Sequence, residues 1–428
     1  MVSRKQCDGG FATGMRVALG HWWRGSGRGA VVVVTTSLAV ATGLMGLAQW
    51  GLLEGLEQKA YDQMMRLRAE GHGLPPDDRL LIVTVTEEDL DTLQEFPLTD
   101  GTVARAIAAL QRHDPVAIGI DMFRAVPNEP GRAELQAAIA AENVVVITQL
   151  SNASGAPGIP PPLGVQPSQV SFNDVVVDPD GKIRRALLLG EQVNPAGNVT
   201  LFSFSLQLAL RYLATAGIVP EASPVNPTHM QLGATTLLPL TPSAGGYAIA
   251  DTRGHQIMLD YRDRLTPGRT VTLRQVLGQE VDPAWITGKV VLMGVTAQSF
   301  KDLFYTPFTA GSRSDTHQMP GVVVHAQMVS QLLDLALGDR PLMWTSQPWQ
   351  EWALCLGWAL LGGTLAWVWR HPVALVVSEA GLLASSMAIG YGLFLANGWV
   401  PLVAPALAVL GSSSIVLAYQ AQQSLRQR

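Results

Sequence analysis

VAIGIDMF, Val116 to Phe123, decides the architecture of this chain. It reads as a buried strand that runs directly into an acid, Asp121. Working back from it, a helical pattern covers about Gly101 to Arg112, and another apolar run, LLIVTV, lies at Leu80 to Val85. Working forward, a helix from about Gly131 to Glu142 leads into a third run, NVVVITQL, at Asn143 to Leu150. Strand, helix, strand, helix, strand is the order that right-handed crossovers turn into a parallel sheet. The fold class expected is therefore α/β, a mostly parallel sheet flanked by helices.

The rest of this domain reads more loosely. SNASGAPGIPPPLG, Ser151 to Gly164, is a Gly/Pro/Ser-rich exposed loop. VSFNDVVVDPDGKIRRALLL beyond it reads as a hairpin turning at Asp180-Gly181, and LFSFSLQLALRYLAT, Leu201 to Thr215, as a helix. Further strands are expected at HQIMLDYR and at KVVLMGV, which ends at Val295, and a last helix at Gly321 to Leu337. No internal repeat stands out.

Apolar spans bracket the domain. AVVVVTTSLAVATGLMGLAQWGLL, Ala30 to Leu53, is uncharged and exceeds the ~20 residues needed to cross a bilayer. Arg4, Lys5, Arg16, Arg24 and Arg28 precede it against a single acid, Asp8, so its start is expected in the cytoplasm and the following domain outside. A cleaved signal peptide is the alternative, although its apolar core is usually only ~7–15 residues long. Three more spans close the chain, Glu351 to Trp369, Val373 to Leu395 and Val400 to Tyr419. Arg370 in the first short loop, and Arg426 and Arg428 in the tail, fall on the same side as the N-terminus. Trp50, Trp349, Trp352 and Trp399 are expected near the outer interface, and Trp22, Trp23, Trp367, Trp369 and Tyr419 near the inner one.

The division expected is a basic cytoplasmic N-terminus (1–29), a transmembrane helix (30–53), an extracytoplasmic domain (54–345), transmembrane helices at 351–369, 373–395 and 400–419, and a short cytoplasmic tail (420–428). A multi-pass protein of a bacterial inner membrane, in contact with lipid, is expected. Its domain opens on LLEGLEQKAYDQMMRLRA, Leu52 to Ala69, an amphipathic stalk helix continuing the first span. GHGLPPDD, Gly71 to Asp78, then breaks the helix.

Composition agrees with this division. Mean hydropathy is +0.21, with 48% hydrophobic and 15% charged residues, between a soluble domain and a transporter. The two cysteines are Cys7, expected in the cytoplasm, and Cys355, expected inside a span, which leaves the exported domain to be held by its core rather than by disulfides. A net charge of −5 without a basic aromatic stripe argues against a nucleic-acid partner.

Ligands of parallel sheets bind at the carboxyl ends of the strands. Glu87, Glu88, Asp89 and Asp91 follow the first strand, Asp121 ends the second, and GVTAQSFKDLFYTPF after Val295 carries Lys301 and Asp302, with His325 on the next helix. The binding candidates are Asp121, Glu87, Glu88, Lys301, Asp302 and His325. An acidic first turn without a Gly-rich loop disfavours a dinucleotide, and suits a cation, an amine or sugar hydroxyls. Each candidate also has a structural reading. Glu87, Glu88 and Asp89 charge a helix start, Asp121 anchors the sheet, His325 is a satisfied core histidine, and Lys301 pairs locally with Asp302. DPDG, Asp178 to Gly181, reads as a turn rather than a calcium loop, lacking the further acids. No nucleophile elbow, HExxH or spaced His/Cys cluster is present, so no catalytic residue, metal site or cofactor is assigned. In the third span, Glu379 is an ionisable group at a costly depth and a coupling candidate, unless it snorkels or pairs near Arg370.

Several stretches together carry a family resemblance: EQKAYDQMMRLR, VTVTEEDL, PVAIGIDMF, DPDGKIRRALL, and GKVVLMGVTAQSFKDLFYTPF followed by MPGVVVHAQMVSQLL. In this order they resemble the type-two cyclase/histidine-kinase-associated sensory extracellular domain, CHASE-two, over roughly Leu52 to Leu337. The resemblance implies an extracytoplasmic sensory input, usually joined through its last spans to a cytoplasmic kinase or cyclase output. Only QAQQSLRQR follows Tyr419, so signalling is expected to pass to a separate protein partner. The alternatives are a structural or accessory subunit of a membrane assembly, and an extracytoplasmic enzyme. A homo-oligomer is also open, and Gly357, Gly362, Gly363 and Gly381 would permit close helix packing between or within bundles.

Overall fold

The computed structural model describes residues 27–151, 158–192, 197–309 and 318–427. Arg4, Lys5, Cys7, Asp8, Arg16, Trp22, Trp23, Arg24, Arg428 and the middle of the loop after Ser151 lie outside the described residues. In chain order the elements are α1 (Gly27–Gln49), α2 (Glu54–His72), β1 (Asp77–Val85), α3 (Glu87–Leu93), α4 (Asp100–Gln111), β2 (Ala117–Asp121), α5 (Arg132–Ile139), β3 (Val144–Thr148), β4 (Val170–Phe172), β5 (Arg185–Gln192), β6 (Val199–Phe202) and α6 (Phe204–Ala214). There follow β7 (Pro220–Ala222), β8 (Met230–Leu232), β9 (Thr235–Leu237), β10 (His255–Met258), β11 (Gly268–Thr272), α7 (Leu273–Leu277), β12 (Val290–Val295), α8 (Gly321–Leu337), α9 (Pro348–Val368), α10 (Pro372–Leu395) and α11 (Val403–Arg426). The chain divides into two units, one of Met1–Tyr61, Pro242–Ala250 and Trp344–Arg428, the other of Asp62–Thr241 and Asp251–Met343.

The second unit is built on a six-stranded sheet in the order β11-β1-β12-β2-β3-β4, parallel throughout. Helices cover both faces, which is why its strands read as unbroken apolar runs rather than alternations. The two-residue period sends Leu81, Val83, Ile118, Ile120, Val291 and Met293 into a core beneath α4, α5 and α7. α6 and α8 pack on the opposite face. Gly119 in β2 makes room for α6, because a Cβ there would fall 2.6 Å from Phe204. Two small antiparallel sheets, β10-β5-β6 and β7-β8-β9, complete the unit.

Three local expectations are corrected. VSF does not pair back across the Asp180-Gly181 turn. β4 is the outer parallel strand beside β3, while β5 joins β6 and β10, and a single bridge, Val176 to Arg185, is all that remains of the hairpin. The turn itself is present, with Gly181 at φ +85. The helix expected from Leu201 starts at Phe204, because Leu201 and Phe202 pair with Gly190 and Leu189 in β6. The stalk does not continue the first span: α1 stops at Gln49, Gly51 turns the chain at φ +76, and α2 begins afresh at Glu54.

DPDG is a scaffold for arginines. Arg184, fully buried, donates to both oxygens of Asp62 on α2 at 2.8 and 3.0 Å, to Asp178 at 2.8 Å and to Asp180 at 2.9 and 2.6 Å. Arg185 holds the other oxygen of Asp178 at 2.7 Å, and Lys182 also reaches Asp62. A second cluster joins Asp77 and Asp334 to Arg79, Arg262 and Arg340. Buried charges survive in this way only when paired and hydrogen-bonded.

In the other unit, α1, α9, α10 and α11 are long and apolar enough to cross a membrane. α9 packs on α11 and α1. Gly362 lies against the Val409 backbone and Gly363 against Ser412, while Ser37 and Ser412 share a 3.0 Å hydrogen bond. These two glycines thus serve packing within the bundle, whereas a Cβ at Gly357 or Gly381 would meet open space. Glu57 of α2 closes the start of α11, accepting N–H bonds from Leu402, Val403 and Ala404 at 2.8, 2.8 and 3.1 Å. That satisfies donors a helix N-terminus otherwise leaves orphaned. Trp399 is fully buried between Tyr61 and Tyr247, whereas Trp50 and Trp349 are exposed.

Candidate functional site

The carboxyl ends of β2, β3 and β12 open into a cavity of about 610 Å³. Asp121 terminates β2, Ile147 comes from β3, Val295 ends β12 and Asn173 follows β4. Lys301 and Asp302 enter from the turn after β12, and Arg124, Phe123 and Val126 from the loop after β2. A second hollow of about 330 Å³ shares Asp121, Phe123, Asn173 and Asp302, and adds Asp174 and His325.

The polar groups here are short of partners. Asp121 is 7% exposed, and among the described residues its one side-chain hydrogen bond is the Asn173 amide at 3.1 Å. Burial pushes its carboxyl up to about 6, against the lowering effect of Asn173. Asp302 is pushed up to about 6 by burial and by the charge of Asp121, with His325 opposing. Its carboxylate occupies the space beside Gly321, where a Cβ would lie 2.5 Å from it. His325 is deeply buried, shares a 3.0 Å hydrogen bond with Ser205 and meets Phe204 edge-on. Burial drives its imidazole down to about 4, so it is neutral. Arg124 donates to the Leu98 carbonyl at 2.7 Å and to Asp100 at 3.3 Å, and its buried Nε has no partner.

Of the residues singled out in the sequence, Asp121, Lys301 and Asp302 share the larger cavity and His325 borders the smaller. Among the described residues no salt bridge joins Lys301 to Asp302; Lys301 is exposed, with its backbone at φ +57. Glu87 and Glu88 line neither space. Glu87 binds the Ser299 N–H at 2.8 Å, and Glu88 pairs with Arg274 at 2.9 Å on the surface. Asp89 forms a capping box with Thr86, the helix-start role. Asn173, Asp174 and Arg124 carried no motif, and the parallel placement of β4 brings Asn173 to the larger cavity and Asp174 to the smaller. No group of three or more His, Cys, Asp or Glu side chains is placed to hold a metal among the described residues.

The family model described as the CHASE2 domain matches residues 35–364, most of the chain. The chain belongs to the CHASE2 family. CHASE2 domains are sensory, and the stretches that carried the resemblance fall in two places in this one. Asp62 of YDQ and DPDGKIRR meet in the buried cluster around Arg184, whereas GIDMF and the end of GVTAQSFKD line the cavity. Comparison with curated proteins and with solved structures finds no match.

Proposed function

We propose that this CHASE2 protein is a bacterial inner-membrane sensor whose domain lies outside the cytoplasm, binds a small molecule at the strand ends and signals through its helices to a separate partner. The observation that carries the reading is the cavity itself, a concave and largely apolar space with a few desolvated, incompletely bonded polar groups. Such a combination marks a ligand site more often than a packing defect. The charge pattern supports the orientation, with Arg28, Arg370 and Arg426 flanking the spans on one side and the uncharged Asn397–Gly398–Trp399 turn on the other. Glu379 supports the relay: it sits half-buried in α10 with one carboxylate oxygen buried and unpartnered. Polar groups at such depth commonly serve coupling.

Two experiments test the reading. Reporter fusions after residues 200 and 428 should be active outside and inside respectively; the reverse pattern refutes the receptor orientation. Affinity purification from native membranes should bring down a signalling protein. A fixed complex that forms equally well in a cavity-blocked variant, Val126→Trp, would favour the accessory-subunit reading instead.

A further inference from the structure

We infer that the ligand of this cavity is a small zwitterion, an α-amino acid with an apolar side chain, its ammonium held by Asp121 and Asp302 and its carboxylate by Lys301 and Arg124. The inference rests on the cavity being the sensing site, and it names the chemistry that site selects.

The two carboxylates are the first half of the argument. They face one space closely enough for the charge on Asp121 to act on Asp302, and among the described residues the only side-chain hydrogen bond to either carboxylate is the one from Asn173. Among the described residues no salt bridge reaches either acid, and a charge-assisted N–H donor is the strong partner for each. Two carboxylates without a third ligand are too few for a divalent cation, which takes six or more oxygens or keeps several waters. A primary ammonium carries three donors, enough to satisfy both acids.

The second half is the presence of two cations in the same lining. Lys301 is exposed and joined to neither acid by a salt bridge among the described residues. Arg124 is 7% exposed, lines the same space and is paired with Asp100 at 3.3 Å, so it adds a partly offset positive charge to the wall. An amine alone would leave Lys301 unanswered; an acid alone would be repelled by the aspartates. A zwitterion answers both sets. The remaining lining, Met122, Phe123, Ile147, Val295 and Phe300, offers apolar surface to a side chain, and a space of about 610 Å³ lies within the ordinary range for small-molecule sites.

The test uses the full chain in lipid nanodiscs at pH 7.5, titrated calorimetrically with leucine, methionine and phenylalanine, with 3-methylbutylamine and 4-methylpentanoate as the two halves of leucine, and with glucose as a neutral probe. At least one of the amino acids should bind about tenfold or more tightly than either half. Asp121→Asn and Asp302→Asn should each weaken it about tenfold or more, and Lys301→Gln should weaken the amino acid but not the amine. Binding of none of the three amino acids, equal binding of a half-molecule, or affinity unchanged in both Asn variants overturns the zwitterion. Glucose or 4-methylpentanoate binding that Val126→Trp abolishes would also overturn it while keeping the cavity as the sensing site. Amino-acid binding untouched by Val126→Trp and by both Asn variants would overturn the two readings together.

Discussion

Replacing Arg184 with methionine tests the most heavily bonded point of the second unit. The guanidinium makes five hydrogen bonds to Asp62, Asp178 and Asp180, and both Arg184 and Asp62 are shut off from solvent. Methionine keeps much of the volume but removes the guanidinium from Asp62, Asp178 and Asp180, leaving Lys182 beside Asp62 and Arg185 beside Asp178. Removing one member of a buried ion pair leaves an uncompensated charge and costs roughly 3–5 kcal/mol. In a unit of this size that corresponds to a fall on the order of 10 °C in apparent melting temperature. The assay is thermal unfolding of detergent-solubilised protein, with hydrogen exchange followed across the segment 182–188. Arg184→Lys should fall between the two, since it keeps the charge and loses the bidentate fork. The double variant Asp62→Asn/Arg184→Met should recover much of the loss, because it also removes the stranded anion. A melting temperature within 2 °C of wild type, or strict additivity in the double variant, would refute the argument.

Other consequences are more local. Glu57→Ala removes the acceptor for three N–H groups at the start of α11 and should cost about 2–3 kcal/mol, read as faster exchange at 402–404; unchanged exchange there would show that the cap contributes nothing. Burial holds the Glu57 carboxyl above its ordinary value despite those donors, so the wild-type advantage should shrink as pH rises past 4.5. Asp121 and Asp302 are both raised from 3.8 to about 6, so the folded state binds more protons than the unfolded one between those values. Stability should therefore fall as pH climbs from about 4 to about 6 and then level off, and the Asp121→Asn/Asp302→Asn variant should lose that slope in a pH series of melts. Glu379→Gln should leave melting within about 1 kcal/mol of wild type while weakening partner binding or signalling; if both survive intact, the coupling role is discarded.

The sheet was legible because each parallel strand is buried on both sides and so announces itself as an apolar run, as LLIVTV, VAIGIDMF and KVVLMGV do. α8 was legible at both ends, since Pro320 can only precede a helix start there and Gly338 closes it at φ +82. VSF misled because the DG turn gives a strong local hairpin cue, while the preference of β4 for the open edge of β3 is set by packing across the sheet. That one error hid Asn173 and Asp174 from the site. Asp121 and the Lys301–Asp302 turn were visible as polar residues at strand ends, but the orphaned Nε of Arg124 depends on where Leu98 and Asp100 lie. The buried ion clusters left no trace in local pattern at all, because Asp62 and Arg184 lie 122 positions apart.

The missing side chain at Gly321 ties two inheritances together. Asp302 fills the volume a methyl group would claim, with three of its atoms within 2.9 Å of that point. A descendant that acquires alanine at 321 must either swing the acid out of its seat or shift the first turn of α8, and either route changes what the hollow presents to a visitor. Position 321 is thus a place where drift in an apparently inert residue would reshape the hollow by way of Asp302, without any change in the acid itself.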